Sequence, residues 1–283
     1  MSAQAPRPRL LLPPKSSDLI WTYAWDQDHL LREVLVPWAP QRILSLCPSQ
    51  TETLADLGLS SRLVGVTRYC IHPRDSLKDI ARVGGTKKVD FDLIGRLEPD
   101  LIIAEKEENP REMVEELQKI APVYVTDVVD RSSAFRMIRD LGRLTAMEGQ
   151  AARILREIEG KWSLLEPIQK PLRVAYLIWR KPWMGVGAGT YIGSLLREVG
   201  FTNVLERSSS RYPEVSESDL DAADPEVVLL SSEPYPFSGK HIAEIQALLP
   251  RARILLVDGE AWSWYGSRMR KFPAEILALS SRL

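Results

Sequence analysis

Two candidate metal ligands, Cys70 and His72, stand two positions apart in the sequence. If this segment is extended, their side chains point to the same side of the backbone. A thiolate and an imidazole are both good ligands for transition metals, so the pair is a candidate contact for a metal ion or for the metal of a bound chelate. The alternative interpretation is that both are ordinary loop residues beside Pro73.

Large aromatic side chains in the second half of the chain follow predicted strands or lie in predicted loops. Aromatic rings are often part of a hydrophobic core, which is the alternative interpretation. Rings on loops suit a bulky flat or apolar ligand, because each can bury roughly 150 to 250 Å² and still present a polar tip. The aromatic residues that we expect to contact a ligand are Trp179, Trp183, Tyr212, Trp262, Trp264 and Tyr265.

Polar loops follow the predicted strands of the first half. One contains Tyr69 together with the cysteine and histidine, and another runs from Gly84 through Thr86 to Lys87. A third, residues 105–108, contains three glutamates and a lysine, and is either a solvated approach to a helix or the source of a carboxylate in the site. Loops at the carboxyl ends of parallel strands meet at one edge of a sheet, so we expect these segments to share a site.

The elements that must position these loops alternate between short apolar runs and amphipathic segments. This alternation predicts parallel βαβ units and an α/β fold. Residues 42–46 form a predicted strand, and residues 49–57 form a predicted helix. Ser49 and Glu52 have the spacing of a capping box, and Gly58 supplies a left-handed residue after the helix.

The chain also contains an internal repeat. Residues 92–103 predict a short helix, a proline, an acid and an aliphatic strand, and residues 218–230 repeat that order, with Pro99 and Pro225 lying 126 residues apart. Between the halves, apolar residues at helical spacing over 132–166 predict a helix of roughly 50 Å if it is unbroken. Two similar units joined by a helix would enclose a ligand between their sheets.

We therefore predict an α/β fold of two βα lobes with parallel sheets, joined by one long backbone helix, with a ligand cleft between the lobes. The predicted division is 1–40 as an N-terminal extension with one or two edge strands, 41–130 as the N-terminal lobe, 131–168 as the long connecting helix and 169–283 as the C-terminal lobe. The alternatives are an interruption of the helix around 146–149 and a single doubly wound sheet.

The order of several short motifs resembles the periplasmic-type, class III binding proteins that serve bacterial ABC importers of cobalamin, haem and ferric siderophores. In this group a helical backbone joins the lobes. The motifs are RILSLCPSQTE (42–52), LVGVT (63–67), VGGT (83–86), LEPDLIIA (97–104) and PEVVLL (225–230). The resemblance covers residues 41–283 and implies a non-enzymatic binder with limited hinge motion.

The resemblance also implies which positions face the ligand. By family position these lie at or near Tyr69, His72 and Thr86 in the first lobe and Trp183, Tyr212 and Trp264 in the second. Cobalamin binders often place a tryptophan shortly after the VGG-like stretch, where this chain has Lys87 and Lys88. A cationic loop there favours an anionic ligand, including a carboxylate-bearing siderophore.

Members of this family that dock to an importer present one acidic residue on each lobe to arginines of the permease. The candidates in this chain are Asp92 and Glu217. The second match is displaced, because Ser218 stands where an acid is expected.

Charge and composition exclude several classes of protein. Lys and Arg number 37 against 38 Asp and Glu, so no strong field would hold a nucleic acid or an anionic membrane surface. No apolar stretch reaches the roughly 18 residues that suggest a membrane span. The apolar run at 10–12 is too short for an export signal, so we expect a cytoplasmic monomer, or a periplasmic one if translation starts upstream.

The leading functional hypothesis is the binding of a bulky metal chelate, either a corrinoid, a ferric siderophore or haem, with no cofactor required. The protein would act as the binding subunit of an ABC importer or as a cytoplasmic relative of one. The alternative is a cytoplasmic enzyme or a ligand-sensing module acting on a corrinoid or tetrapyrrole. No nucleophile elbow, P-loop or zinc-protease motif supports the enzyme.

Overall fold

The computed structural model describes residues 22–166, 168 and 170–283. The first 21 residues, which include the apolar run at 10–12, lie outside the described residues. The strands of the described part are β1 (Thr22–Gln27), β2 (Glu33–Trp38), β3 (Ile43–Ser45), β4 (Leu63–Val66), β5 (Ala81–Arg82), β6 (Leu101–Glu105), β7 (Val123–Thr126), β8 (Arg173–Trp179), β9 (Trp183–Gly185), β10 (Thr202–Asn203), β11 (Glu214–Val215), β12 (Val227–Ser231) and β13 (Arg253–Val257).

Its helices are α1 (Pro48–Asp56), α2 (Phe91–Leu97), α3 (Arg111–Leu117), α4 (Arg131–Leu144), α5 (Glu148–Trp162), α6 (Tyr191–Glu198), α7 (Glu217–Ala223), α8 (Gly239–Leu248), α9 (Gly259–Ser263) and α10 (Phe272–Ser280). Short 3-10 helices lie at Ser60–Arg62, Asp75–Leu77 and Gly266–Lys271. We call the last of these the C-terminal turn. No helix in the described ranges is long and apolar enough to cross a membrane.

The strands form two main sheets, as predicted. The first has the order β5-β4-β3-β6-β7 and is entirely parallel. The second has the order β11-β9-β8-β12-β13, with β10 beside β8, and only β9 and β11 run antiparallel to their neighbours. The central strands β6 and β12 are buried along their whole length, which explains why their sequences are continuous apolar runs.

The internal repeat is confirmed in three dimensions. Helix α2 and strand β6 lie 126 residues before helix α7 and strand β12, with identical element lengths. In the first lobe, Asp100 accepts a hydrogen bond from the backbone N–H of Arg42 at 2.9 Å. In the second lobe, Glu226 accepts one from the N–H of Arg173 at 3.0 Å. The acid after each proline thus ties the start of one central strand to its neighbour.

The connection between the lobes is helical, but the prediction of one long helix is wrong, and the alternative of an interruption around 146–149 is confirmed. Ala146 adopts a left-handed φ of 59° between α4 and α5. The N–H of Met147 donates to the carbonyl of Gly142 at 2.7 Å, which closes the turn. Because Gly142 has no side chain, Ala151 of α5 packs directly against α4, where a Cβ on Gly142 would lie 2.5 Å from that of Ala151. The chain folds back, so the apolar faces of the two helices cover each other.

Helix α1 begins one residue earlier than predicted, and the capping box is wrong. Cys47 is the N-cap, without a side-chain hydrogen bond, and Pro48 opens the helix. Ser49 and Glu52 are therefore inside the helix, and Glu52 pairs with a distant arginine instead. Gly58 does adopt the expected left-handed conformation, with φ 87°.

The prediction of edge strands implied that the N-terminal strands extend a main sheet. They do not, because they form a separate two-stranded sheet. β1 and β2 pair antiparallel with each other. Their connecting turn covers the open edge of β7. Buried Asp28 accepts from the N–H of Val125 at 3.3 Å, and His29 donates its N–H to the carbonyl of the same valine at 3.1 Å. The turn satisfies edge groups that would otherwise remain unpaired.

The two lobes share a hydrophobic core. One buried cluster includes residues of both sheets, of α1 and of the α4–α5 pair. Two smaller clusters lie on the other face of each sheet. The C-terminal turn packs on α1, so the second lobe directly contacts the first lobe next to the ends of its strands.

Candidate functional site

The strand order of each sheet indicates where a ligand would bind. In the first sheet the chain proceeds outward from β3 to β4 and β5, then crosses to β6 and β7 on the other side. In the second, β8 and β12 occupy the equivalent central positions. Open α/β sheets bind ligands outside the carboxyl ends of the strands at such a reversal. The predicted site loops follow these strands.

Three contacts show that loops of the two lobes face each other. The Nε2 atom of His72 lies 3.0 Å from Oε2 of Glu260. An Nη2 of Arg211 lies 3.2 Å from Oε2 of Glu107. The Sγ of Cys47 lies 3.6 Å from the hydroxyl of Tyr265. We call the facing segments, residues 47, 67–72, 84–87, 105–109, 211–212 and 260–265, the inter-lobe site.

His72 and Trp264, both predicted site residues, are in contact across the site. Their ring centroids are 5.5 Å apart in an edge arrangement. The indole N–H of Trp264 donates to Glu233 at 2.7 Å, and the guanidinium carbon of Arg268 lies 4.7 Å from the ring centroid. The tryptophan is therefore held in position by the second lobe while the histidine is supplied by the first.

Arg268 lies directly beside the inter-lobe site and links the two lobes, and the sequence interpretation missed it. It is 2% exposed and donates at 2.6 Å both to Glu52 of α1 and to Glu260. One of its terminal nitrogens, Nη2, has no hydrogen-bond partner in the described structure. No motif signals this arginine, because it lies in an ordinary basic run. The spacing of its partner Glu52 predicts a capping box instead of a long-range ion pair.

The carboxylates of 105–108 separate into different roles. Glu105, at the buried end of β6, has a pKa raised to about 7 by burial, although the N–H groups of Glu107 and Glu108 donate to it. Burial also raises the pKa of the nearby Cys47 thiol and Tyr265 hydroxyl. Burial thus favours the neutral forms of Glu105, Cys47 and Tyr265, whereas Glu107 reaches the second lobe.

The remaining polar positions of the first lobe line the rim. Tyr69 is 48% exposed. Thr86 is buried, and its carbonyl accepts from Asn109 at 2.8 Å. Lys87 donates to the carbonyl of Glu107 at 2.6 Å and lies 3.8 Å from the carboxylate of Glu108. The positive charge of this lysine, expected to favour an anionic ligand, is thus partly matched within the protein.

Tyr212 lies in the second lobe, next to Arg211, which pairs with Glu107 of the first lobe. Burial raises the pKa of its hydroxyl, and the charge of Glu107 raises it further. Of the predicted residues, His72 and Tyr212 are partly exposed on the facing loops, whereas Trp264 and Tyr265 are 7% and 8% exposed and are buried in the contact between the lobes.

The structure does not bring Cys70 and His72 together as a metal-binding pair. Cys70 is fully buried, and its sulfur lies 3.1 and 3.2 Å from the hydroxyls of Thr51 and Thr67. The segment is not extended, because the N–H of Cys70 closes a turn onto the carbonyl of Thr67. Burial raises the pKa of the thiol, which disfavours a thiolate ligand. In the described ranges, no group of three or more His, Cys, Asp or Glu could hold a metal ion.

Two of the predicted tryptophans pack in the core. Trp262 is fully buried in α9. Trp183 lies in β9 and stacks on Phe237. Both belong to regular elements rather than to the loops that the sequence predicted. Trp179, at the end of β8, is 40% exposed and packs edge-on against Tyr235.

The two predicted docking acids occupy exposed first turns of equivalent helices. Asp92 is the second residue of α2, and Glu217 is the first residue of α7. The repeat places Ser218 at the position equivalent to Asp92. The two acids are therefore offset by one residue, as the sequence indicated.

Residues 43–248 match the model of the family described as periplasmic binding protein, and the chain belongs to this family. The vitamin B12-binding protein of Vibrio campbellii is 25% identical over 201 residues, which are 68% of this chain and 70% of that protein. The family resemblance seen in the sequence motifs is confirmed.

Solved structures show the same fold. The periplasmic vitamin B12 binding protein BtuF of Vibrio cholerae aligns with a TM-score of 0.72 at 22% identity, over 86% of this chain and 99% of that chain. The periplasmic heme-binding protein RhuT from Roseiflexus sp. RS-1, in its apo form, aligns with a TM-score of 0.71 at 21% identity, over 84% and 97% of the two chains.

Proposed function

We propose that this protein binds a bulky metal chelate, a corrinoid in the first instance, in the inter-lobe site. The observation that carries the proposal is the contact between His72 and Trp264, which brings a polar first-lobe rim and an aromatic second-lobe rim to one place. Family membership and the name of the Vibrio campbellii relative favour a corrinoid. Tyr69 and Tyr212 extend the surface on either lobe, and such a mixture of flat rings and polar groups suits a large macrocycle.

A ligand entering the site would replace some of the contacts between the lobes. The pairs His72–Glu260 and Arg211–Glu107 are both partly exposed. Exposed ion pairs contribute about 0 to 1 kcal/mol each, so a ligand can displace them at low cost. The buried Arg268–Glu52 pair lies deeper, beside α1, and can keep the lobes joined while the rim opens.

Calorimetric titration of the full chain with cobalamin, cobinamide, haemin and a ferric catecholate tests the proposal. We expect at least one to bind with a dissociation constant in the micromolar range or below. Trp264→Ala should weaken that binding about tenfold or more, because buried aromatic anchors dominate binding energy. Trp25→Ala is the control, since Trp25 is 64% exposed on β1 and is not among the residues that define the inter-lobe site.

Binding of none of the four ligands at about 100 µM would contradict the proposal. Binding of haemin or the ferric catecholate alone would keep the site and replace the corrinoid. Visible absorption of the purified protein gives an independent check, because corrinoids and haem both absorb in that range.

We further propose that the protein serves an ABC permease and docks to it through Asp92 and Glu217. The support is family membership and the exposure of both acids on equivalent helices. Asp92→Lys and Glu217→Lys should abolish stimulation of the permease ATPase while leaving ligand binding intact. Glu112→Lys, an exposed acid in the first turn of α3, is the control. Cell fractionation tests whether the protein acts in the periplasm, as the family name indicates, or in the cytoplasm.

A further inference from the structure

An arginine and a tyrosine form a platform on the first-lobe rim. Arg68 and Tyr69 follow β4, and both are exposed. The guanidinium carbon of Arg68 lies 4.9 Å from the centroid of the Tyr69 ring, and its Nη2 donates to the tyrosine hydroxyl at 2.9 Å. The backbone N–H of Arg68 donates to the carbonyl of Gly84 at 2.8 Å, which joins the platform to the next loop.

Gly85 permits the close approach of this platform to its loop. A Cβ at Gly85 would lie 3.3 Å from Cε2 of Tyr69 and 3.5 Å from Nη2 of Arg68. The first distance is tighter than ordinary van der Waals contact, so a side chain there would push the ring outward. The arginine and tyrosine are thus held against the rim rather than free in solvent.

The charge of Arg68 is unmatched within the described part of the chain. Four arginines there lie over aromatic rings, and three of them also pair with carboxylates. The paired ones are Arg131 with Glu198, Arg180 with Glu244, and Arg268 with Glu52 and Glu260. Arg68 has no carboxylate within ion-pair distance among the described residues, and its hydrogen-bonding partner is the neutral tyrosine hydroxyl.

We propose that Arg68 binds an oxyanion of the ligand, a phosphate or a carboxylate, while the Tyr69 ring packs against the adjoining part of the ligand. This inference rests on the proposed function and assigns the specificity of the same site. A guanidinium presents a planar fork that matches both oxyanions, and stacking on a ring holds the fork in position. Among the described residues, Nε and Nη1 of Arg68 make no hydrogen bond, and Nη2 keeps a second N–H besides the one given to Tyr69, so one edge of the fork can bind the ligand.

Two ligand pairs separate the two sources of the anion. Cobinamide phosphate contains a phosphate group that cobinamide lacks, and haemin contains two carboxylates that its dimethyl ester lacks. We expect the wild-type protein to prefer the anion-bearing member of at least one pair, and Arg68→Gln to reduce that preference about tenfold. Arg68→Lys should retain part of it, because the charge remains without the fork. Arg74→Gln, on the same loop, should leave the preference unchanged.

The outcomes distinguish this inference from the proposed function. If the wild type binds a chelate and Arg68→Gln preserves its preference, the inference is wrong and the proposed function stands. If the wild type binds no member of either pair, the inference is wrong, and the titration with the ferric catecholate decides the proposed function. Loss of preference confined to the corrinoid pair identifies a phosphate, and loss confined to the haem pair identifies a carboxylate. A preference that also weakens at high salt supports an ionic contact.

Discussion

The buried bridge centred on Arg268 gives the sharpest prediction for stability. Arg268→Met preserves much of the apolar stem but removes the cation. Glu52, which is 8% exposed, would then hold a carboxylate without its positive partner. Removing one member of a buried ion pair costs about 3 to 5 kcal/mol. Glu260 is more exposed and keeps its contact with His72, so the loss of its contact with Arg268 adds little to the destabilisation. We expect the free energy of unfolding to fall by ~3 kcal/mol.

Urea unfolding followed by tryptophan fluorescence measures this change. A double-mutant cycle with Glu52→Gln isolates the pair, and we expect a coupling energy of roughly 1 to 3 kcal/mol. The matched comparison is Arg211→Ala, whose ion pair with Glu107 is partly exposed and should cost about 1 kcal/mol or less. A loss below about 1 kcal/mol for Arg268→Met would refute the reasoning, because it would show that solvent reaches the bridge.

Three further predictions concern the same region. Gly266→Ala should destabilise the fold by ~2 kcal/mol, because Gly266 has φ 80° and a Cβ there would collide with the hydroxyl of Thr53 in α1. The control Gly149→Ala places a Cβ in open space and should be neutral or stabilising. Chemical denaturation measures both changes. The folded state holds the proton of Glu105 more tightly than the unfolded state, since its pKa is about 7 instead of 4.5, so wild-type stability should fall as the pH rises through this window. Glu105→Gln should therefore gain ~3 kcal/mol relative to wild type between roughly pH 4 and pH 8, and parallel curves would contradict the assignment. Iodoacetamide should label Cys47 and Cys70 only after unfolding, because both thiols are buried, and rapid labelling of the native protein would disprove that burial.

Much of the fold could be predicted from local patterns. The repeat around Pro99 and Pro225 reflects short helices and strands of fixed length, so its 126-residue offset reappears in space. The connecting segment shows the limit of such patterns. Helical periodicity continues across the break, so the sequence allowed both one long helix and an interruption around 146–149, and the packing of Ala151 against Gly142 shows that the chain folds back.

Which residues face a ligand stays a prediction. The structure shows that the loop of His72 in the first lobe contacts Trp264 of the second. The burial of Trp262 and Trp183 was missed because their elements, a short helix and a short strand, were taken for loops.

The sequence by itself determined the alternation of strands and helices, the two similar lobes and the family, because these depend on residue types at short spacing. Only the tertiary structure decided which side chains face the cleft. Cys70 turns into the core within a few residues of His72, and Arg268 meets Glu52 from 216 positions away. Side-chain direction depends on the exact backbone turn, and long-range pairing depends on how the lobes pack, neither of which is encoded in local spacing.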